Sequence, residues 1–213
     1  MHESLRYLLE KVLSHYSSGD FYETLLQAKD DYFSKTGKAF EEDEDYESRM
    51  ASFNDWYCLQ YRPDETGKTF FQKYILEHSV LAELEQAINE VNHSLFEYLG
   101  TNFRGLHVLK DILHDKKLTL AKEHSAPSMV KGDIFIGRTA FYRNEHYLFN
   151  GLRMMPKEAR KPMAKEAKRV RKLHEKRHDL EFLFFTEALK TKWQRYGHID
   201  VEKIFVFPQN RLS

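Results

Sequence analysis

Apolar residues at Leu5, Leu8, Leu9, Val12, Leu13 and Tyr16 fall at i, i+3, i+4, i+7, i+8 and i+11, the spacing that lines one face of a helix. Ser17-Ser18-Gly19 supplies its stop. Asp20 with Glu23 has capping-box spacing, and Phe21, Leu25 and Ala28 continue as a second helix to about Phe33. The acidic run from Glu41 to Asp45 leads into an aromatic segment holding Phe53, Trp56, Tyr57 and Tyr61. This predicts a helix with an acidic first turn whose rings enter the core. Arg62 to Lys68 is a turn, and Thr69 opens a helix through Phe70, Phe71, Tyr74 and Ile75. Leu81, Leu84, Ile88, Val91 and Leu95 then repeat at helical spacing in the clearest amphipathic helix of the chain.

From Leu95 to Met155 the rhythm changes to a period of two. Gly105 to Asp111, Lys117 to Ala121, Gly132 to Arg138 and His146 to Phe149 are β-prone runs separated by turn chemistry. Pro156 ends this stretch. A helix rich in Lys, Arg and Ala follows from about Lys161, with Pro162 tolerated in its first turn. A last helix carries Phe182, Phe185, Leu189, Trp193 and Tyr196 along one face and stops at Gly197. Ile204-Phe205-Val206-Phe207 reads as a closing strand. The predicted class is α+β: a helical part at 1–93, a small antiparallel sheet or barrel at 94–156, and helices at 157–213 packing back over it. One continuous core is the alternative.

Three stretches carry a resemblance. They are Phe53-Asn54-Asp55-Trp56-Tyr57 followed by Gly67-Lys68-Thr69 and an aromatic helix, then Gly105-Leu106-His107-Val108-Leu109-Lys110-Asp111-Ile112-Leu113, then Lys131-Gly132-Asp133-Ile134-Phe135-Ile136-Gly137-Arg138. Together they resemble an uncharacterised bacterial family whose members often carry a C-terminal cysteine-rich SEC-C zinc motif. The resemblance spans roughly Asp45 to Pro156. It implies no established activity and no catalytic residues, and the zinc motif is absent because no cysteine follows Cys58.

Composition narrows the function classes. The 213 residues are 41% hydrophobic and 14% aromatic, enough for a substantial core. With 33 basic and 33 acidic residues the chain is not a uniformly basic nucleic-acid binder. Its charge is polarised, however. Asp20 to Asp55 holds 11 acidic and 4 basic residues, a local charge of −7, whereas Lys157 to His178 holds 10 basic and 3 acidic, a local charge of +7. Head-to-tail pairing of copies through these regions is one consequence, and oligomeric state stays open. The single cysteine excludes an internal disulfide and a cysteine zinc site, which points to a reducing compartment. The N-terminus lacks a signal-peptide pattern and no apolar run nears the ~20 residues of a membrane span, so a cytoplasmic protein is expected.

Few residues carry recognisable chemistry, and no cofactor is expected. Gly67-Lys68-Thr69 resembles the end of a P-loop, but the motif's first glycine would fall at Arg62 and no strand precedes it. The Glu41 to Asp45 run lacks the ligand spacing and central glycine of a calcium loop. His107, Asp111 and His114 have the composition of a 2-His-1-carboxylate metal set, which makes a metal-dependent enzyme one alternative. The plainer reading of these three is surface and strand polar groups. Asp133 and Arg138 are either a carboxylate with an oxyanion-binding arginine, or a turn residue and an exposed strand residue, the reading preferred. Cys58 within its aromatic helix reads as a small core residue. The strongest signal is basic: Lys161, Lys165, Lys168, Arg169, Arg171, Lys172, Lys176 and Arg177. Among them Lys161, Lys165, Lys168 and Lys172 follow i, i+4, i+7 and i+11 and form a stripe suited to a phosphate backbone. With Phe141, Tyr142 and Tyr147 available for stacking, RNA or DNA is the leading partner. An acidic protein partner, a membrane surface, a solvated face, or pairing with the chain's own Glu41 to Asp45 run are the alternatives.

Overall fold

His2 opens the first helix: its ring Nδ1 accepts from the Ser4 amide at 3.1 Å, and α1 (Glu3–Tyr16) then buries Leu5, Leu8, Leu9, Val12 and Tyr16. The computed structural model describes residues 1–122 and 129–208. The capping box expected at Asp20 does not form. Gly19–Phe21 is a 3-10 turn, so Phe21 precedes α2 (Tyr22–Thr36) and offers no side-chain cap. Asp43 and Asp45 stay outside the first turn of α3 (Tyr46–Leu59), because Asp43 accepts from the Phe40 amide and both carboxylates pair with arginines. Thr69 and Gln72 form a true capping box at α4 (Phe70–Glu77).

The amphipathic run from Leu81 is shorter than its pattern. Helix α5 (Ala82–Asn89) ends where the amides of Glu90 and Val91 turn back to Gln86 O and Ile88 O, and Leu95 lies in a strand instead. That strand, β1 (Asn92–Thr101), pairs antiparallel with β2 (His107–Asp111) on one side and β4 (Ile134–Tyr142) on the other. β3 (Lys116–Thr119) extends β2, β5 (Glu145–Leu148) extends β4, and β6 (Arg153–Met155) pairs with the start of β4. The sheet runs β3-β2-β1-β4-β5. It then curls back on itself: the Ala121 amide donates to His146 O at 2.9 Å beside a parallel bridge from Leu120 to His146. The result is a partly closed five-stranded barrel filled by Phe96, Tyr98, Leu109, Leu118, Leu120, Phe135 and Leu148.

Alternation decides what covers the outside of the barrel. Leu95, Ile134 and Ile136 pack beneath α6 (Arg160–Arg171), α7 (Lys176–Arg195) and α8 (Val201–Ile204), against Met163, Ala167, Val170 and Phe182. Ala140, Tyr142, Tyr147 and Phe149 join the core of the N-terminal helices. On β2 and β3 the outward residues Val108, Lys110, Lys117 and Thr119 are half-buried or exposed. The protein is α+β, and no described helix is long and apolar enough to cross a membrane.

Two expectations at the C-terminal end are corrected. The basic residues divide between two helices, because the chain reverses at Lys172 to Glu175 with His174 at φ +55°, and Lys176 and Arg177 begin α7. Ile204 to Phe207 is not a strand. The Phe205 amide completes a helical bond to Val201 O, and Ile204 and Phe205 bury against the α7 side of the core.

Candidate nucleic-acid interface and barrel mouth

Lys161, Lys165, Lys168 and Lys172 lie exposed along α6, and none makes an ion pair within 4.0 Å among the described residues. Their neighbours are engaged: Arg169 with Glu166 at 2.6 Å, Arg171 with Asp115 at 3.7 Å, Arg177 with Glu175 at 2.7 Å. Arg171 also donates to Ile112 O and Leu113 O, both at 3.4 Å, and so fastens the end of α6 to the β2–β3 turn. The strands flanking that turn carry Lys110, Lys116 and Lys117. Lys110, then Arg171 and Lys168, hold the Asp115 carboxyl below the usual carboxylate range. The acidic run does not neutralise this surface. Asp43 pairs with buried Arg49, and Asp45 with buried Arg153 and with the Gln194 amide at 3.0 Å.

The expected stacking rings are placed differently. Tyr142 and Tyr147 are each 3% exposed, because the face of β4 and β5 that carries them is covered by α5 and by the His2 cap of α1, and their rings meet His2 edge-on at 4.9 and 5.1 Å. Neither can stack on a base. Phe141, of opposite parity, is 50% exposed and lies 4.9 Å from the His146 ring. Phe103 in the β1–β2 loop is 93% exposed, with the Arg104 guanidinium 5.3 Å from its ring. Sequence reasoning missed Phe103, although an aromatic beside arginine in the turn Asn102 to Gly105 was a legible signal.

One end of the barrel forms a second polar centre. Asn92, Asp111, Lys116, Thr139, Phe141 and His146 line a cleft of about 590 Å³. Asp111 is fully buried and accepts from Asn92 Nδ2 at 2.9 Å, the Ser94 hydroxyl, the His114 amide at 2.9 Å and His114 Nδ1 at 3.0 Å. Burial pushes its carboxyl up, but the bonds from His114 and Ser94 outweigh this and leave it low. His114 Nε2 lies 3.4 Å from Asp179 of α7, and the bonds to Asp111 and Asp179 raise His114 to about 9. The three metal candidates are not brought together. His107 is at the opposite end of β2, with Nδ1 2.7 Å from Tyr98 Oη, and no group of three metal-ligating side chains could hold an ion among the described residues.

Asp133 and Arg138 also part company. Asp133 closes its turn by accepting from the Val130 amide at 2.6 Å and pairs with Lys157 at 2.8 Å. Arg138 is not an exposed strand residue but fully buried. It donates to Gln60 Oε1 at 2.8 Å and to Ser52 at 3.3 and 3.4 Å, and stands 4.0 Å from Asp55. Cys58 is a buried core thiol whose ionisation is pushed up by burial. No family model, no curated protein and no solved structure matches this chain.

Proposed function

We propose that the protein binds single-stranded RNA or DNA across the surface formed by α6 and the outward side of β2 and β3. The observation that carries this reading is the stripe of Lys161, Lys165, Lys168 and Lys172, exposed without ion pairs among the described residues and joined through Arg171 and Asp115 to Lys110 of the β2–β3 hairpin. Internally compensated surface charge leaves little for a partner, whereas uncompensated cations in a row release counterions from a phosphate backbone. The barrel supports the same reading by analogy. Small, partly open five-stranded barrels bind oligonucleotides on the face of their second and third strands and on the adjoining loops. Here that face carries Lys117, and the first loop presents Phe103 and Arg104.

Fluorescence anisotropy with labelled single-stranded RNA and duplex DNA across a salt series tests it. Log affinity should fall linearly with log salt, and K161E/K165E/K168E/K172E should abolish binding at moderate salt. Replacing the same four lysines by alanine should lower the slope by roughly 3 for a single strand. No binding by the native chain, or binding unchanged in the variants, overturns the proposal. Equal affinity for polyglutamate would reassign the stripe to an acidic protein partner.

A further inference from the structure

His93 is 8% exposed, and neither of its ring nitrogens has a hydrogen-bond partner among the described residues. It faces outward from β1, opposite Arg138 of β4, and lines a recess of about 240 Å³ between the barrel and α7. Burial, then Arg138 and His114, hold the ring's ionisation well below its ordinary value, so it is neutral and carries one N–H donor and one acceptor lone pair. Leaving both unpaired in a buried setting is unfavourable, so the recess is built for a polar occupant.

We infer that this recess receives a single nucleobase of a strand bound along the basic surface, an inference that rests on the nucleic-acid reading above. The surrounding groups define the occupant. Gln60 accepts from Arg138 through Oε1, which leaves its NH₂ as a donor, and Asn92 donates to Asp111 through Nδ2, which leaves its carbonyl oxygen as an acceptor. With His93, the walls thus offer donors and acceptors to the edge of a flat heterocycle, while Leu180 and Leu183 supply apolar contact for its faces. A phosphate is disfavoured inside, because Glu90 and Asp179 line the recess and protonated His114 directs its two N–H groups at Asp111 and Asp179. Lys176, which also lines the recess, suits the phosphate outside it. The volume lies below the ~300–1,000 Å³ of pockets for larger ligands, which favours one base over a dinucleotide. The neighbouring cleft shares Glu90, Asn92 and His114 and leads to the Phe141–His146 pair and to Lys116 and Lys117, so the flanking nucleotide has a ring to stack on and a cation for its backbone.

The test uses the full chain labelled with ¹⁵N-histidine and titrated with the four free nucleosides, which carry no phosphate. At least one should shift the His93 ring nitrogens saturably, with affinity independent of salt. His93→Phe should weaken that affinity more than tenfold, and Leu180→Phe, which fills the recess from α7, should do the same if His93→Phe fails to fold. A silent His93 in a chain that still binds oligonucleotide with a salt slope overturns the recess while sparing the nucleic-acid reading. A nucleoside response without oligonucleotide binding overturns that reading and leaves a nucleoside site.

Discussion

Tyr32 Oη donates to Glu187 Oε2 at 3.2 Å, joining α2 to α7 across 155 residues of chain. Glu187 is almost wholly enclosed, and its charge acts on Arg153, Arg138 and Arg49, each no more than 2% exposed. Burial raises the carboxyl, and the three guanidinium groups pull it back. One buried anion thus serves arginines from α3, β4 and β6 and ties the barrel to both helical layers. Tyr32→Phe removes the hydroxyl's bonds to Glu187 and Ser52 and should destabilise by about 1–2 kcal/mol. Glu187→Ala leaves three buried cations short of an anion and should cost about 3–5 kcal/mol. Urea unfolding compares the two, and equal losses would mean that Glu187 is not electrostatically coupled to the arginines.

His114 links β2 to α7 through Asp111 and Asp179 and gives stability a defined pH dependence. Its folded value of about 9 lies above the ~6.5 of an unfolded histidine, so the folded state holds the proton more tightly. The contribution, about 3 kcal/mol, is therefore complete below about pH 6.5 and is lost as pH rises through 9. His114→Gln should flatten the stability profile between pH 7 and 9.5. An NMR titration of the ring with a midpoint near 6.5 would refute the linkage.

Asp55 has the same sign in a separate window. Burial pushes it up to about 6 against the opposing pull of Arg138, and its Oδ2 has no hydrogen-bond partner among the described residues. The folded value exceeds the ~3.9 of an unfolded aspartate, so stability falls as pH rises from about 4 to 6 and the deficit persists at neutral pH. Asp55→Asn should stabilise the protein by about 2–3 kcal/mol at pH 7 and leave it unchanged below pH 4. Thermal unfolding at the two pH values gives the answer directly.

β2 and β3 were legible because one face is wet and their residues alternate, whereas β4 and β5, covered on both faces, are marked by β-prone runs such as Ile134-Phe135-Ile136 after turns. β1 was hidden because its inward positions begin with Asn92 and Ser94, which serve Asp111, while Leu95 happens to continue a helical count. The α6 stripe was legible because exposure follows helical spacing. The buried arginines were not, since a sequence places arginine at the surface unless its partner is known, and Asp45 lies more than a hundred residues from Arg153. Tyr142 and Tyr147 show the same limit: alternation sets their face correctly, but only α5 and the start of α1 decide that the face is covered.

Gly151 sits where the β5–β6 connection presses on α3. A Cβ there would meet Ser52 N at 2.7 Å, Ser52 Cα at 2.8 Å and the Ala51 carbonyl carbon at 2.9 Å, all backbone atoms that cannot rotate away. Relief requires moving α3, and Ser52 is the residue that donates its hydroxyl to Tyr32 at 3.1 Å and accepts from Arg138 at 3.3 Å. Gly151→Ala should therefore destabilise by about 2–3 kcal/mol through overpacking. Gly105, at φ +73° with nothing within 4 Å of an added Cβ, isolates the backbone effect, and Gly105→Ala should cost only about 1–2 kcal/mol. If the two variants unfold at the same denaturant concentration, the approach of Gly151 to α3 is looser than described. If Gly151→Ala also weakens the coupling between Tyr32→Phe and Glu187→Ala in a double-mutant cycle, the glycine sets the distance at which α3 delivers Ser52 to the buried charge cluster.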